Sequence, residues 1–311
     1  MIVLSLFDGC GMAYQALKNL NIKVEKYYAS EIDKYAIKVA LKNHPDIIEL
    51  GDINNWESWN IDCPDLIIGG SPCQGFSFAG KQLNFEDPRS RLYFKFEEIL
   101  KHYNPEYWVL ENVRMKDEIR DIISKRLDVK PVLINSSLVS AQNRKRYYWS
   151  NIKINQPADK NILLKDIIEN GEVDKEKSYC LDSSYYKGSK NGELYLQKSR
   201  RQIVVIENKT ILHNLYNGFK ENFPRIFKDK SPTIRTSGGG GHIPSVFLKW
   251  CFIDKKIILK NRLLAPVECE RLQTLPDNYT LCELVSNTQR YKMLGNGFTI
   301  KVIEHILSKM I

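Results

Sequence analysis

Residues 2–20 read IVLSLFDGCGMAYQALKNL. The run Ile2–Phe7 is apolar and β-branched, which favours a strand, and it stops at Asp8-Gly9-Cys10-Gly11, where glycines free the backbone for a tight turn. Beyond the turn, Met12, Ala16, Leu17 and Leu20 recur at helical spacing. Strand, glycine turn and helix form the opening unit of a nucleotide-binding α/β sheet. There the glycines let a ligand approach the backbone, and the helix N-terminus offers free N–H groups to an anion. Taken alone, Gly9-x-Gly11 is equally compatible with a bare turn. The dinucleotide fingerprint needs a small residue at position 14, which is Tyr14, so NAD and FAD are disfavoured.

The same rhythm continues outward. Strands are expected at Val24–Ser30, Ile47–Leu50, Asp65–Gly69, Tyr107–Leu110, Pro131–Asn135 and Arg146–Trp149, alternating with a helix whose apolar residues Ala36, Ile37, Val39, Ala40 and Leu41 face one side before His44-Pro45 stops it, and with helices over about 90–102 and 117–127. Continuous apolar strands alternating with helices predict a parallel sheet covered on both faces. From about Asn151 to Asn261 the pattern breaks into turn-rich stretches, such as the run Ser237–His242, with strand-like pieces at Gln202–Ile206 and Lys256–Leu259 and no strong helix. Helical spacing returns at Pro266–Thr274 and Phe298–Lys309, so the C-terminus is expected to rejoin the first domain.

Length and charge set limits on function. The chain has 311 residues, 43% of them hydrophobic and 27% charged, with a formal net charge of +9. That length suits two domains. No window approaches the roughly 20 apolar residues of a membrane span, and the N-terminus lacks a signal-peptide pattern, so no membrane partner is expected. Seven cysteines, at 10, 63, 73, 180, 251, 269 and 282, never form C-x-x-C. Neither a disulfide framework nor a metal site is indicated, and the chain reads as a reduced, cytoplasmic protein. The charge is not spread evenly: residues 187–260 hold 15 Lys and Arg against 5 Asp and Glu, giving +10. One basic insert therefore sits in a near-neutral chain.

Three polar clusters stand out at the carboxyl ends of predicted strands, the edge where α/β sheets place ligands. Gly69-Gly-Ser-Pro-Cys-Gln-Gly75 puts Cys73 behind a proline that fixes the backbone. Leu110-Glu-Asn-Val113 brings Glu111 to the same edge. Gln142-Asn-Arg-Lys-Arg146 would point Gln142, Arg144 and Arg146 to one face if it alternated as a strand. Residues 75–90 show little apolar periodicity, as functional loops do. Glu31 ends the second strand, where a carboxylate typically accepts from ribose hydroxyls, and Asp52 follows the third. A solvated strand-end carboxylate is the competing reading for each.

These motifs resemble those of the DNA (cytosine-5) methyltransferases of prokaryotic and phage type, and the resemblance runs through the whole chain. Leu6–Gly11 is similar to the family's first motif, Gly70–Gln74 to the Pro-Cys motif, Glu111–Val113 to Glu-Asn-Val, and Gln142–Arg146 to Gln-x-Arg-x-Arg. Arg262–Arg271 and Gly295-Asn296-Gly297 are similar to the ninth and tenth motifs. Asp8 stands where Ser or Ala is usual and Ser71 where Pro is usual, variants that resemble the animal de novo branch.

The resemblance implies a Rossmann-like S-adenosylmethionine-dependent methyltransferase domain over 1–151 and 262–311, with a mostly parallel sheet. It also implies a small irregular β-containing target recognition domain over 152–261. It makes Cys73, Glu111, Arg144 and Arg146 the catalytic residues. The cofactor S-adenosylmethionine, leaving as S-adenosylhomocysteine, would be held by Phe7, Asp8, Gly9, Gly11, Glu31, Ile32, Asp52, Ile53, Pro72, Leu92 and Asn296, with no metal. Double-stranded DNA would be held by Gln74, Ser77, Lys81, Arg89, Arg200, Arg201, Arg225, Lys228 and Arg235. The target cytosine would be flipped out and methylated at carbon 5 within a specific sequence. A cognate restriction endonuclease as genetic partner, a solitary enzyme and a phage-encoded one all stay open, and the chain is expected to be a monomer. A transfer-RNA methyltransferase of the same fold and a silent DNA-binding homologue are the alternatives. The Cys-Phe-Thr element of the RNA branch is replaced here by Cys251-Phe-Ile, and the intact catalytic residues speak against silence.

Overall fold

Seven strands of the first unit pair side by side in the order β3-β2-β1-β4-β5-β7-β6. They are β1 (Ile2–Leu6), β2 (Lys26–Ser30), β3 (Ile47–Glu49), β4 (Leu66–Gly70), β5 (Tyr107–Val113), β6 (Val132–Asn135) and β7 (Lys145–Ser150). This is a computed structural model, and it describes residues 1–71, 91–187, 201–205, 211–214, 226–227, 244–247, 252–253, 256–257 and 261–310. Pairing is parallel from β3 through β5, and β7 runs antiparallel between β5 and β6. The expected mostly parallel sheet is therefore present, with one reversed strand.

Helices α1 (Met12–Asn19), α2 (Lys34–Asn43), α3 (Arg91–Tyr103), α4 (Asp117–Leu127), α5 (Pro266–Leu272), α6 (Asn287–Asn296) and α7 (Ile300–Leu307) accompany the sheet. One core cluster gathers Leu4, Leu6, Ile67, Phe96, Trp108, Leu110 and Trp149, all buried, from α3 and the central strands. α7 packs against α1, and Val302, Ile303 and Ile306 are completely buried. Asn19 also donates to Glu304 Oε1 at 2.6 Å. The C-terminal helix thus lies beside the first helix, as expected. α6 was not anticipated. Its sequence, NTQRYKMLGN, is polar and ends in Gly-Asn, so no apolar periodicity announces it.

The chain divides into two compact units, one of residues 1–167, 176–187 and 265–311, the other of residues 168–175 and 188–264. Residues 152–167 and 176–187, grouped with the insert from sequence alone, belong to the first unit because their backbones are tied into it. Ser178 donates to the Ala141 carbonyl at 2.7 Å and Leu164 to that of Glu176 at 2.6 Å. The Lys177 ammonium donates to the carbonyls of Ser137, Ser140 and Ile162. In the second unit, β9 (Ile211–Asn214) pairs antiparallel with β10 (Ile226–Phe227) and β11 (Pro244–Phe247). The strand β8 (Ile203–Val205) pairs with the segment Asn261–Leu263. Among the described residues no helix is long and apolar enough to cross a membrane.

Candidate active site

The strand order reverses between β1 and β4, and at such a switch point the loops diverge and leave a crevice at the carboxyl ends of the strands. The loop after β1 has three residues in the left-handed region: Phe7 (φ 59), Gly9 (φ 66) and Gly11 (φ 78). For Phe7 this conformation is costly, and it turns the chain sharply at the edge of the sheet. At Gly11 the need for glycine has a second cause. A Cβ there would lie 2.9 Å from His44 Cδ2, so the residue faces the protein interior.

A cavity of about 420 Å³ occupies the crevice, within the usual size range for small-molecule sites. Its lining brings together Phe7, Asp8, Gly9, Glu31, Ile32, Asp52, Ile53, Leu92, Glu111, Arg144, Arg146 and Asn296 from the expected site. Gly11 does not line it. Pro72, Cys73, Gln74, Ser77, Lys81, Arg89, Arg200, Arg225, Lys228 and Arg235 lie outside the described residues. Arg201 is described, half-buried, two residues before β8 in the second unit.

One wall is acidic and rigid. The two Glu31 oxygens accept from backbone N–H groups: Gly9 at 2.9 Å, Ile32 at 2.7 Å and Asp33 at 2.9 Å. The carboxylate thereby links the turn after β1 to the turn after β2. Asp52 accepts from the Asn54 backbone at 2.9 Å. Asp8 is buried, and its Oδ1 accepts the Tyr27 hydroxyl at 2.6 Å. Burial, reinforced by the charge of Glu31, pushes the Asp8 carboxyl up to about 6. Phe7, Ile53 and Leu92 add apolar surface to the lining.

The other wall carries the residues of β5 and β7. Antiparallel pairing sets Glu111 opposite Tyr148 and Val113 opposite Arg146, so Glu111 and Arg146 are diagonal neighbours, and Arg146 Nε lies 3.0 Å from Glu111 Oε1. The side chains are only 13% and 10% exposed, so the pair is largely screened from water. Asn112 donates to Ser71 Oγ at 2.9 Å, tying the end of β5 to the exit of β4. A Cβ at Gly70 would stand 3.2 Å from both Glu111 Oε2 and the Phe298 ring, so glycine keeps this floor open.

Gln142 and Arg144 precede β7 and do not share strand alternation with Arg146. The Arg144 guanidinium donates to three carbonyls, of Leu181 at 3.1 Å, Gly295 at 3.2 Å and Gly297 at 2.9 Å. Gln142 accepts from the Leu181 N–H at 2.8 Å. Sequence reasoning missed several members of the site. Lys292 and Met293 line the cavity from α6, Lys292 pairs with Asp33 at 2.7 Å, and Gln273, which does not line it, joins Thr299 and Leu294 in a buried network. The signal for Lys292 was its nearness to the Gly295-Asn296-Gly297 motif. Gln273 and Thr299 had none. Among the described residues no group of three His, Cys, Asp or Glu could hold a metal ion.

Known proteins resemble this chain in sequence and in fold. A family model described as C-5 cytosine-specific DNA methylase matches residues 1–311. The orphan methyltransferase M.Rho11sI of Bacillus phage rho11s is 35% identical over 190 residues, 56% of this chain and 35% of that protein. The type II methyltransferase M1.ScrFI of Lactococcus lactis subsp. cremoris is 28% identical over 336 residues, 99% of this chain and 77% of that protein. The match therefore spans about a third of the phage relative's length. Among solved structures, a mutant of Spodoptera frugiperda DNMT2 aligns with a TM-score of 0.63 at 20% identity, covering 99% of both chains.

Proposed function

This chain belongs to the C-5 cytosine-specific DNA methylase family, and from that premise we propose that it methylates carbon 5 of a flipped-out cytosine in double-stranded DNA through a covalent bond to Cys73. The observation that carries this reading is one cavity with Asp8, Glu31 and Asp52 on one wall and the Glu111–Arg146 pair on the other. A nucleoside-type ligand and a base can meet only where such walls face one space.

The donor set fits S-adenosylmethionine: carboxylates for hydroxyl and amine donors at Glu31 and Asp52, and apolar surface at Phe7, Ile53 and Leu92. When bound, that cofactor supplies a methyl group activated on a sulfonium. Everything else falls to the chain. Carbon 5 of cytosine is a poor nucleophile until a thiolate adds to carbon 6, and that thiolate is assigned to Cys73. Glu111 takes the ring N3 and exocyclic amine, and Arg146 fixes its carboxylate from the side. Loss of the carbon-5 proton after methylation then re-forms the ring double bond and expels the Cys73 sulfur. Extracting the base from the duplex costs roughly a few kcal/mol, to be recovered by contacts in the cavity and on the strand.

Purified protein is expected to move tritiated methyl from S-adenosylmethionine into duplex DNA, and Cys73→Ala to abolish transfer while DNA binding survives. DNA carrying 5-fluorocytosine should be trapped as a covalent adduct. Unchanged turnover in the variant sinks the covalent route, and transfer to transfer RNA in place of duplex DNA overturns the substrate.

A further inference from the structure

Residues 297–299 join α6 to α7, and at this break Asn296, Gly297 and Phe298 line the cavity. Phe298 lies beside Glu111: a Cβ on Gly70 would stand 3.2 Å from both the Phe298 ring and Glu111 Oε2. The placing of the break therefore sets the room next to the carboxylate assigned to the target base.

A break between helices leaves carbonyls of the first and N–H groups of the second without partners. Gln273, the C-cap of α5, is completely buried and does not line the cavity, yet it supplies partners on both sides of the break. Its side-chain amide donates to the Leu294 carbonyl at 2.6 Å, and its amide oxygen accepts the Thr299 hydroxyl at 2.9 Å. Its backbone carbonyl accepts the Ile300 N–H at 3.0 Å. Thr299 is the N-cap of α7 but makes no side-chain cap, because its hydroxyl is turned to Gln273, and it accepts from Ser136 Oγ at 2.9 Å. Thr274 bonds the helix end in its place, its hydroxyl accepting from the Lys301 N–H at 2.9 Å. To do so it adopts φ 58, a left-handed conformation that a β-branched residue rarely takes. Between the two grips of Gln273, Arg144 holds the carbonyls of Gly295 and Gly297.

We propose that Gln273 is a positioning residue for methyl transfer, setting Asn296 and Phe298 against the methyl donor and the Glu111 carboxylate through its bonds to Leu294 and Thr299. The inference rests on the reaction named above and deepens it by adding a residue that touches neither reactant.

Gln273→Met and Thr299→Val each remove the bond between the two side chains while keeping most of their volume. Both variants, their combination and Thr299→Ser are compared with the parent by thermal melting. They are also compared by single-turnover transfer of tritiated methyl to plasmid DNA, with S-adenosylmethionine and DNA saturating, at a temperature where every chain is folded. Gln273→Met and Thr299→Val are expected to slow the single turnover by about tenfold or more. The combination should be no slower than Gln273→Met alone, and Thr299→Ser, which keeps the hydroxyl, should run at the parent's rate. A contact that only stabilises the fold shifts the melting temperature and leaves the rate of the folded chain alone. A parent-like rate in folded Gln273→Met therefore overturns the proposal, as do losses that multiply in the combination. If Gln273→Met does not fold, the position 299 pair decides: Thr299→Val slower than Thr299→Ser supports the proposal, and equal rates overturn it. Parent-like variants beside an active parent overturn the role of Gln273 alone, whereas a parent that transfers no methyl to duplex DNA overturns the reaction as well.

Discussion

At position 146 a guanidinium meets the Glu111 carboxylate at 3.0 Å, whereas two residues earlier an identical group is surrounded by backbone carbonyls. The same side chain thus orients a carboxylate of the cavity wall in one place and holds loops together in the other. Arg146→Lys loses the planar fork that orients Glu111. It is expected to slow single-turnover methylation on the order of a hundredfold while calorimetric binding of S-adenosylmethionine is retained. Arg144→Met leaves the Leu181, Gly295 and Gly297 carbonyls without their donor and is expected to cost about 2–3 kcal/mol in urea denaturation. A third residue acts through pH. Burial, with Asp8 and Glu31 adding repulsion, pushes the Glu49 carboxyl up to about 7 from an ordinary value of 4.5. The folded chain therefore holds that proton more tightly than the unfolded one. The resulting stabilisation is complete below the ordinary value and is lost as pH rises through about 7. Glu49→Gln cannot ionise, so its melting temperature should match the parent's near pH 4 and exceed it above about pH 7.

The elements differ in how openly the sequence declares them. β1, β2, β4 and β5 are legible because a strand buried on both faces must be an apolar run, and α2 because Ala36, Ile37, Val39, Ala40 and Leu41 keep to one side before His44-Pro45 ends it; the structure adds a cap, Asp33 accepting from the Tyr35 N–H at 3.0 Å. The reversal of β7 is not legible, since direction depends on which neighbour it pairs with and not on its own residues. The same limit explains why Gln142, Arg144 and Arg146 could be grouped by spacing and yet separate in space. α6 escapes notice because it is held by polar contacts. Arg290 pairs with Glu270 at 2.9 Å, and Thr280 links the two. With side-chain exposures of 7% and 0% the pair is buried, so Arg290→Met strands the Glu270 charge. It should destabilise the protein by about 3 kcal/mol or more, measured by thermal melting. α6 also tolerates no side chain near its end: a Cβ on Gly295 would lie 2.2 Å from the Asp182 backbone.

For the whole molecule, the uneven charge is legible in the order of residues by itself, because residues 187–260 carry +10. Replacing Arg200, Arg201 and Arg225 by glutamine is expected to weaken duplex binding and to flatten its dependence on salt, by about 0.9 in logarithmic slope for each phosphate that is no longer neutralised. Calorimetric affinity for S-adenosylmethionine should not change. The cofactor-side walls were equally readable, because the glycine turn and Glu31 are local signals. The closing wall was not, because Lys292, Met293 and Phe298 meet Phe7 and Asp8 only after the chain has returned on itself. That return has a consequence in time. During synthesis on the ribosome the first wall of the cavity emerges before the basic insert and the last only when α6 and α7 follow. A nascent chain therefore holds Cys73 and the basic insert before it has a complete pocket.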